Sequence, residues 1–293
     1  MDKKICIITG ANSGIGKQAA IQLAGKGFHV ILACRSRLRG QQAVDEILKL
    51  NSSNSVELLL IDMSLQASIL SFAKEFKARY DRLDVLIHNA AVYNISQKKR
   101  EETAEGIETI WAANHLGPVL LTELLLDRLK QSRNGRVLTV SSKGLLAKPF
   151  LKVNLRDPEY KTRRFNVPDA YYQSKQAQVM YTYWLAERLK GTPITVNSIR
   201  VTAVKVDTAR HANLTPFMKW VYSKKAAKSL EPEKMAETYT YLANSPEVNE
   251  VTGRYYDEHN RQVDSTKYLK DKERIAAVME LTNQYISKQK EGF

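Results

Sequence analysis

Cysteine is almost missing from this chain: Cys6 and Cys34 are the only two in 293 residues, and both lie in apolar stretches that read as neighbouring buried strands. Two such residues supply neither a disulfide framework nor a metal-ligand spacing, so they read as small core residues in a reducing compartment. Long apolar runs are lacking too. The most lipid-like one, Val119 to Leu126, carries Glu123 and is far short of the roughly 20 residues that span a bilayer. Met1-Asp2-Lys3-Lys4 leads straight into the first strand, which leaves no room for a secretory leader. A cytoplasmic protein without a membrane span is therefore expected, and Asn51-Ser52-Ser53 matches a glycosylation acceptor by chance. Internal repeats, low-complexity tracts and linkers are absent as well, so residues 1–293 are expected to form one domain, with a core over about 4–256 and a helical extension over about 264–293.

Acidic residues are outnumbered by basic ones, 31 to 45, for a formal charge of +14. The basic runs Lys98-Lys99-Arg100, Lys161-Thr162-Arg163-Arg164 and Lys224-Lys225 are short and interrupted. They read as solvated faces with a general pull on anionic ligands, and no nucleic-acid partner is expected. A hydrophobic content of 43% beside 26% charged residues is ordinary for a globular protein.

What the sequence does contain is organised around Lys4-Ile5-Cys6-Ile7-Ile8-Thr9-Gly10-Ala11-Asn12-Ser13-Gly14-Ile15-Gly16-Lys17, a buried strand running into a glycine-rich turn and a helix. Glycines at 10, 14 and 16 permit backbone conformations and close approaches that a side chain would block. The helix starting near Gly14 aims free N–H groups and its positive dipole end at the loop, a seat for a pyrophosphate. Phe28 to Ala33 is a second strand, followed by Cys34-Arg35-Ser36-Arg37. An acidic residue there would grip the free 2′-hydroxyl of NAD; here Arg35 stands in the place, as suits a 2′-phosphate.

A helix over Gln41 to Leu50, a strand over Val56 to Ile61 ending at Asp62-Met63-Ser64, a helix to Tyr80 capped by Ser64, and a strand over Leu83 to Ile87 ending in His88-Asn89-Ala90-Ala91 complete a fourfold alternation. That pattern predicts an α/β fold: a single-domain, Rossmann-type, doubly wound parallel sheet with helices on both faces. A helical region over about 102–130 follows, bent at Gly117-Pro118, then a strand over Arg136 to Val140 ending in Ser141-Ser142. Leu151 to Asp169 reads as an irregular loop of the kind that lies over a site, Tyr171 to Lys190 as a helix, Ile194 to Ile199 as a sixth strand and Gly253 to Tyr256 as an edge strand.

Tyr171 and Lys175 share a helix face, Ser142 ends a strand at the edge where such folds place ligands, and Asn114 lies on a helix that reaches the same edge. The whole pattern resembles the short-chain dehydrogenase/reductase family, in its retinol dehydrogenase-like branch: Thr9 to Gly16 is similar to the nucleotide loop, Asn89-Ala90 to the signature after the fourth strand, and Tyr171-x-x-x-Lys175 to the catalytic motif. The resemblance implies a catalytic set of Asn114, Ser142, Tyr171 and Lys175. It implies NADP(H) contacts from Gly10, Asn12, Ser13, Gly14, Ile15, Gly16, Arg35, Asp62, Met63, Asn89, Tyr171 and Lys175. It also implies a homodimer built on helices near 102–130 and 171–190.

The expected activity is interconversion of a carbonyl and an alcohol on a small molecule, with Tyr171 carrying the proton and Lys175 favouring the phenolate. Tyr172 is a rival phenol only three residues from Lys175. The alternatives are reduction of a conjugated C=C bond on the same scaffold and a catalytically weak NADP-binding regulator. Two departures from the family's pattern stand out. Arg200-Val201-Thr202-Ala203 replaces the usual Pro-Gly after the sixth strand, with Val206 at a later threonine position, and Ala91 replaces a glycine. The segment Asp207 to Leu230, with Leu214, Pro216, Phe217, Met218, Trp220, Val221 and Tyr222, reads as a lid over a mostly apolar substrate or else as a helix packed on the core.

Overall fold

The computed structural model describes residues 3–50, 55–205 and 229–290. The lid expected over Asp207 to Leu230, and with it Val206 and Lys224-Lys225, lies outside the described residues apart from Ser229 and Leu230.

Seven parallel strands form one sheet in the order β3-β2-β1-β4-β5-β6-β7: β1 (Ile5–Thr9), β2 (His29–Cys34), β3 (Val56–Leu60), β4 (Val85–His88), β5 (Gly135–Ser142), β6 (Ile194–Val201) and β7 (Arg254–Tyr256). Alternation along each strand divides the core in two. Cys6, Ile8, Val30, Leu32 and Cys34 face α1 (Gly14–Gly25), α2 (Arg37–Leu50) and, beyond β5 and β6, α7 (Pro232–Asn244). Ile7, Ile31, Leu86, Val137 and Val196 face α3 (Gln66–Arg79), α5 (Gly117–Lys130), α6 (Val167–Arg188) and α9 (Lys272–Lys290), which follows the short α8 (Lys267–Lys270). Both cysteines are buried free thiols, as their apolar context implies.

Several local expectations are corrected. Ser64 does not cap α3; it is bonded to Asp62. The cap is Glu105, whose carboxylate accepts from the backbone of Gln66 (2.9 Å) and Ala67 (3.0 Å). Helix does not begin at Glu102 but after Glu108, whose buried carboxylate accepts from Ile110 and Trp111 and opens the short α4 (Thr109–Trp111). The disturbance lies before Gly117-Pro118: residues Ala112–Leu116 form a π turn. Its cause is Pro118, which has no N–H to donate to the carbonyl of Asn114, while Gly117 N–H reaches back to Ala112. Helix α6 starts at Val167, capped by Asn166, so Asp169 sits inside it.

The basic runs are less solvated than their sequence suggests. Arg100 and Lys161 meet the buried Glu159, and Arg163 bonds Asp157 and Gln173, so these cations help fix the loop before α6. Glu159 also accepts from Tyr285 of α9 at 2.8 Å, tying this loop to that helix. Among the described residues no helix is long and apolar enough to cross a membrane.

Candidate active site

The sheet order reverses between β1 and β4, which opens a crevice at their carboxyl ends. At its floor, Gly10 and Gly14 take φ of +67° and +57°, a region that a side chain disfavours. A Cβ on Gly16 would lie 2.4 Å from Asn89 Nδ2. That nitrogen donates to the carbonyls of Thr9 (2.9 Å) and Gly10 (3.3 Å), so Asn89 braces the glycine turn from the neighbouring strand. Thr9 repeats the tie: its hydroxyl donates to Ile87 O and accepts from Ala90 N–H.

A cleft of about 380 Å³ lies above, lined among others by Gly10, Asn12, Ser13, Arg35, Asp62, Met63 and Asn89. Gly14 and Gly16 open α1 beside it, and Ile15 packs toward the core. Arg39 joins Arg35 at the rim, one helical turn later on α2. Two guanidiniums just after β2, a glycine cradle and the start of a helix fit a dinucleotide. Asp62 is held by Ser64 and lies 3.8 Å from Arg35.

Contacts link Asn114, Tyr171 and Lys175 at this edge: Asn114 bonds Val92 of the cleft wall and Ser174 of α6, and Lys175 bonds Val140 of β5, the strand that Ser142 ends. Asn114 is buried on the π turn, and its side chain pairs with the backbone of Val92, accepting at 2.7 Å and donating at 3.0 Å; it also donates to Ser174 Oγ. Val92 and Ala113 line the cleft, so Asn114 holds one wall of it. Ser142 Oγ accepts from Gly144 N–H at 3.1 Å, which leaves the hydroxyl proton for another acceptor. Tyr171 is half-buried, its ring 4.5 Å from that of Tyr93. Burial, together with neighbouring phenols, pushes its pKa upward, so the proton stays on at neutral pH. Lys175 Nζ lies 5.7 Å from the centre of the Tyr171 ring, and burial brings this ammonium down to about 7.

Residues 4–152 match the short chain dehydrogenase family. Human retinol dehydrogenase 13 is 36% identical over 264 residues, 87% of this chain and 76% of that protein; human retinol dehydrogenase 12 is 36% identical over 88% and 78%. The chain belongs to the short-chain dehydrogenase/reductases, in their retinol dehydrogenase-like branch. The crystal structure of an uncharacterised protein from Mycobacterium paratuberculosis is 27% identical, with a TM-score of 0.71 over 96% of this chain and 92% of that one. A short chain dehydrogenase from Escherichia coli CFT073 complexed with NADPH shares the fold at 21% identity, with a TM-score of 0.66 over 88% and 97%.

As a short-chain dehydrogenase/reductase the chain shows how its departures are accommodated. Ala91 is exposed and is not among the residues of positive φ, so nothing there requires glycine. Without Pro-Gly, β6 runs on past Ile199, and Val201 pairs in register with Ser142. Beyond it Val204 bridges Leu230, with Lys205 N–H on Leu230 O and Leu230 N–H on Ala203 O, both at 2.9 Å. Tyr172 packs on the loop after Ser142, its hydroxyl oxygen 2.3 Å from where a Cβ of Gly144 would stand.

Sequence reasoning missed Arg39, Tyr93 and Gln178. Arg39 was legible as a second arginine four residues after Arg35, at the start of the helix that follows; Tyr93 and Gln178 carry no local signal.

Proposed function

We propose that the chain is an NADP(H)-dependent oxidoreductase that interconverts an apolar aldehyde or ketone and its alcohol. Supporting this most directly is the buried Lys175 ammonium, which bonds β5 two residues before Ser142 and lies 5.7 Å from the centre of the Tyr171 ring, in a fold whose cleft is rimmed by Arg35 and Arg39. NADPH, when bound, supplies the hydride. Ser142 donates a hydrogen bond to the substrate carbonyl and orients it. Tyr171 gives its proton to that oxygen as negative charge develops there, and Lys175, when protonated, stabilises the phenolate left behind. Asn114 keeps the Val92 wall in place. Arg35 and Arg39 hold the 2′-phosphate, and a reducing, cytoplasmic setting suits the two buried thiols.

The test is NADPH oxidation with the purified protein against a panel of aldehydes, ketones and enones, together with Tyr171→Phe. Turnover of aldehydes or ketones that Tyr171→Phe abolishes, with cofactor binding intact, supports the reading. Turnover confined to enones would move it to C=C reduction. No turnover on any substrate, with NADPH still bound, would leave a nucleotide-binding regulator.

A further inference from the structure

Lys175 is 1% exposed, and the two groups that accept from its ammonium are both neutral: the Val140 carbonyl of β5 at 2.7 Å and Gln178 Oε1 at 3.0 Å. Gln178 is fully buried on α6, and its Nε2 has no partner among the described residues. The bond to Lys175 therefore decides which way the carboxamide points. A side-chain amide with an unmet donor in the core carries a desolvation cost, and here the bond its acceptor end makes is to the Lys175 ammonium.

Behind this pair stands His88, also fully buried. The Thr122 hydroxyl gives its proton to Pro118 O (2.8 Å), so at 2.7 Å it accepts from His88 Nε2–H. This fixes the neutral tautomer, with Nδ1 as an acceptor that also has no partner. His88 is in register with Thr139 of β5. Thr139 bonds Thr182, which donates to Gln178 O. His88 and Gln178 thus lie on one side of the sheet, under Lys175. The titratable groups facing the ammonium are His88 from β4 and Tyr171 from its own helix; β5 offers a backbone carbonyl, and no carboxylate among the described residues bonds to it.

We propose that Gln178 is a positioning residue for Lys175, fixing where the ammonium sits and how firmly it holds its proton, with neutral His88 as its backing. A carboxylate in this place would lock the lysine as a permanent cation, and an apolar side chain would leave it without its second acceptor. The amide does neither, so Lys175 can gain and lose a proton near neutrality. This inference rests on Lys175 being the working cation of the proposed reaction.

The experiment compares Gln178→Leu and Gln178→Glu with wild type. The Lys175 side chain is titrated by NMR in cofactor-free protein labelled at lysine Cε, its signal assigned through Lys175→Arg. The pH profile of kcat/KM for carbonyl reduction is measured beside it. Gln178→Glu should move the Lys175 titration up and Gln178→Leu down, each by about one pH unit, with the alkaline limb of the profile following. A merely structural residue would not move the two in opposite directions. Shifts of one sign in both variants, no shift in either, or a limb that ignores the titration would overturn the proposal. Gln178→Asn serves if either variant fails to fold: one methylene shorter, it should lose reach and titrate toward the leucine variant. Retained activity in Tyr171→Phe would instead remove the proposed reaction and leave the cofactor-free titration to decide on Gln178 alone.

Discussion

Gly16 and Asn89 share one space: a Cβ on the glycine would come within 2.4 Å of the asparagine Nδ2 and 3.0 Å of Gly10 O. Asn89 would have to turn away and release the carbonyls of Thr9 and Gly10. Gly16→Ala should therefore weaken NADPH binding at least tenfold and cost about 1–3 kcal/mol of stability, the usual scale for overpacking. Fluorescence titration and denaturant melts measure the two; an unchanged dissociation constant would show that Asn89 does not brace the turn.

Arg35 and Arg39 both reach the cleft rim from exposed positions. Arg35→Ala and Arg39→Ala should each lower NADPH affinity about tenfold or more, on the scale of a charge-assisted hydrogen bond, and leave NADH affinity nearly unchanged. The NADPH preference should shrink as salt rises, because these charges are screened. Equal wild-type affinity for the two cofactors at low salt would count against the 2′-phosphate site.

Glu105 accepts from the first two backbone N–H groups of α3 across 39 residues of sequence. Glu105→Ala leaves both donors to water and should cost about 1 kcal/mol, as loss of an N-cap does. Urea melts would show this as a lower midpoint at constant slope, and no change would mean that the contact contributes nothing to stability.

Burial takes Lys175 from an ordinary value of 10.5 down to about 7. Between those values the unfolded chain holds a proton that the folded one lacks. Stability should therefore rise with pH across this window, by at most ~1.4 kcal/mol per unit. Lys175→Met removes the group from both states. The difference between wild type and Lys175→Met, measured by denaturant melts from pH 7 upward, should grow in favour of the wild type; a constant difference would place the folded-state lysine at its ordinary value.

Helix α9 lies against α5 and α6 and buries Ile275, Val278, Met279 and Ile286 there. These are the helices on which the family resemblance would build a dimer, and this chain has already covered part of them with its own residues. A monomer is the expected result of light scattering at micromolar concentration. A stable dimer would have to use another face.

The alternation of strands and helices, the glycine turn and the Tyr171/Lys175 spacing could all be read in the sequence, because each is set by local backbone chemistry or by a period of two or of about four. What could not be read depends on partners far away in the chain. Ser64 looked like the cap of α3 because it stands just before the helix, yet the acceptor is Glu105. The runs around Arg100 and Arg163 looked solvated because the buried Asp157 and Glu159 that hold them are visible only after folding. Pro118 did announce a disturbance, but the missing N–H acts four residues earlier, on Asn114. Gln178 gave no signal at all, since a glutamine inside a helix is ordinary until its oxygen is found on a buried ammonium.

The bond between His115 and Thr282 sets an order of events during synthesis. His115 follows Asn114 on the π turn, and its Nε2 meets the Thr282 hydroxyl of α9 at 2.7 Å, both side chains fully buried. The turn that carries Asn114 is thus bonded to a residue translated 167 positions after His115. A nascent polypeptide that has already paired all seven strands still lacks that support until α9 is made and docks.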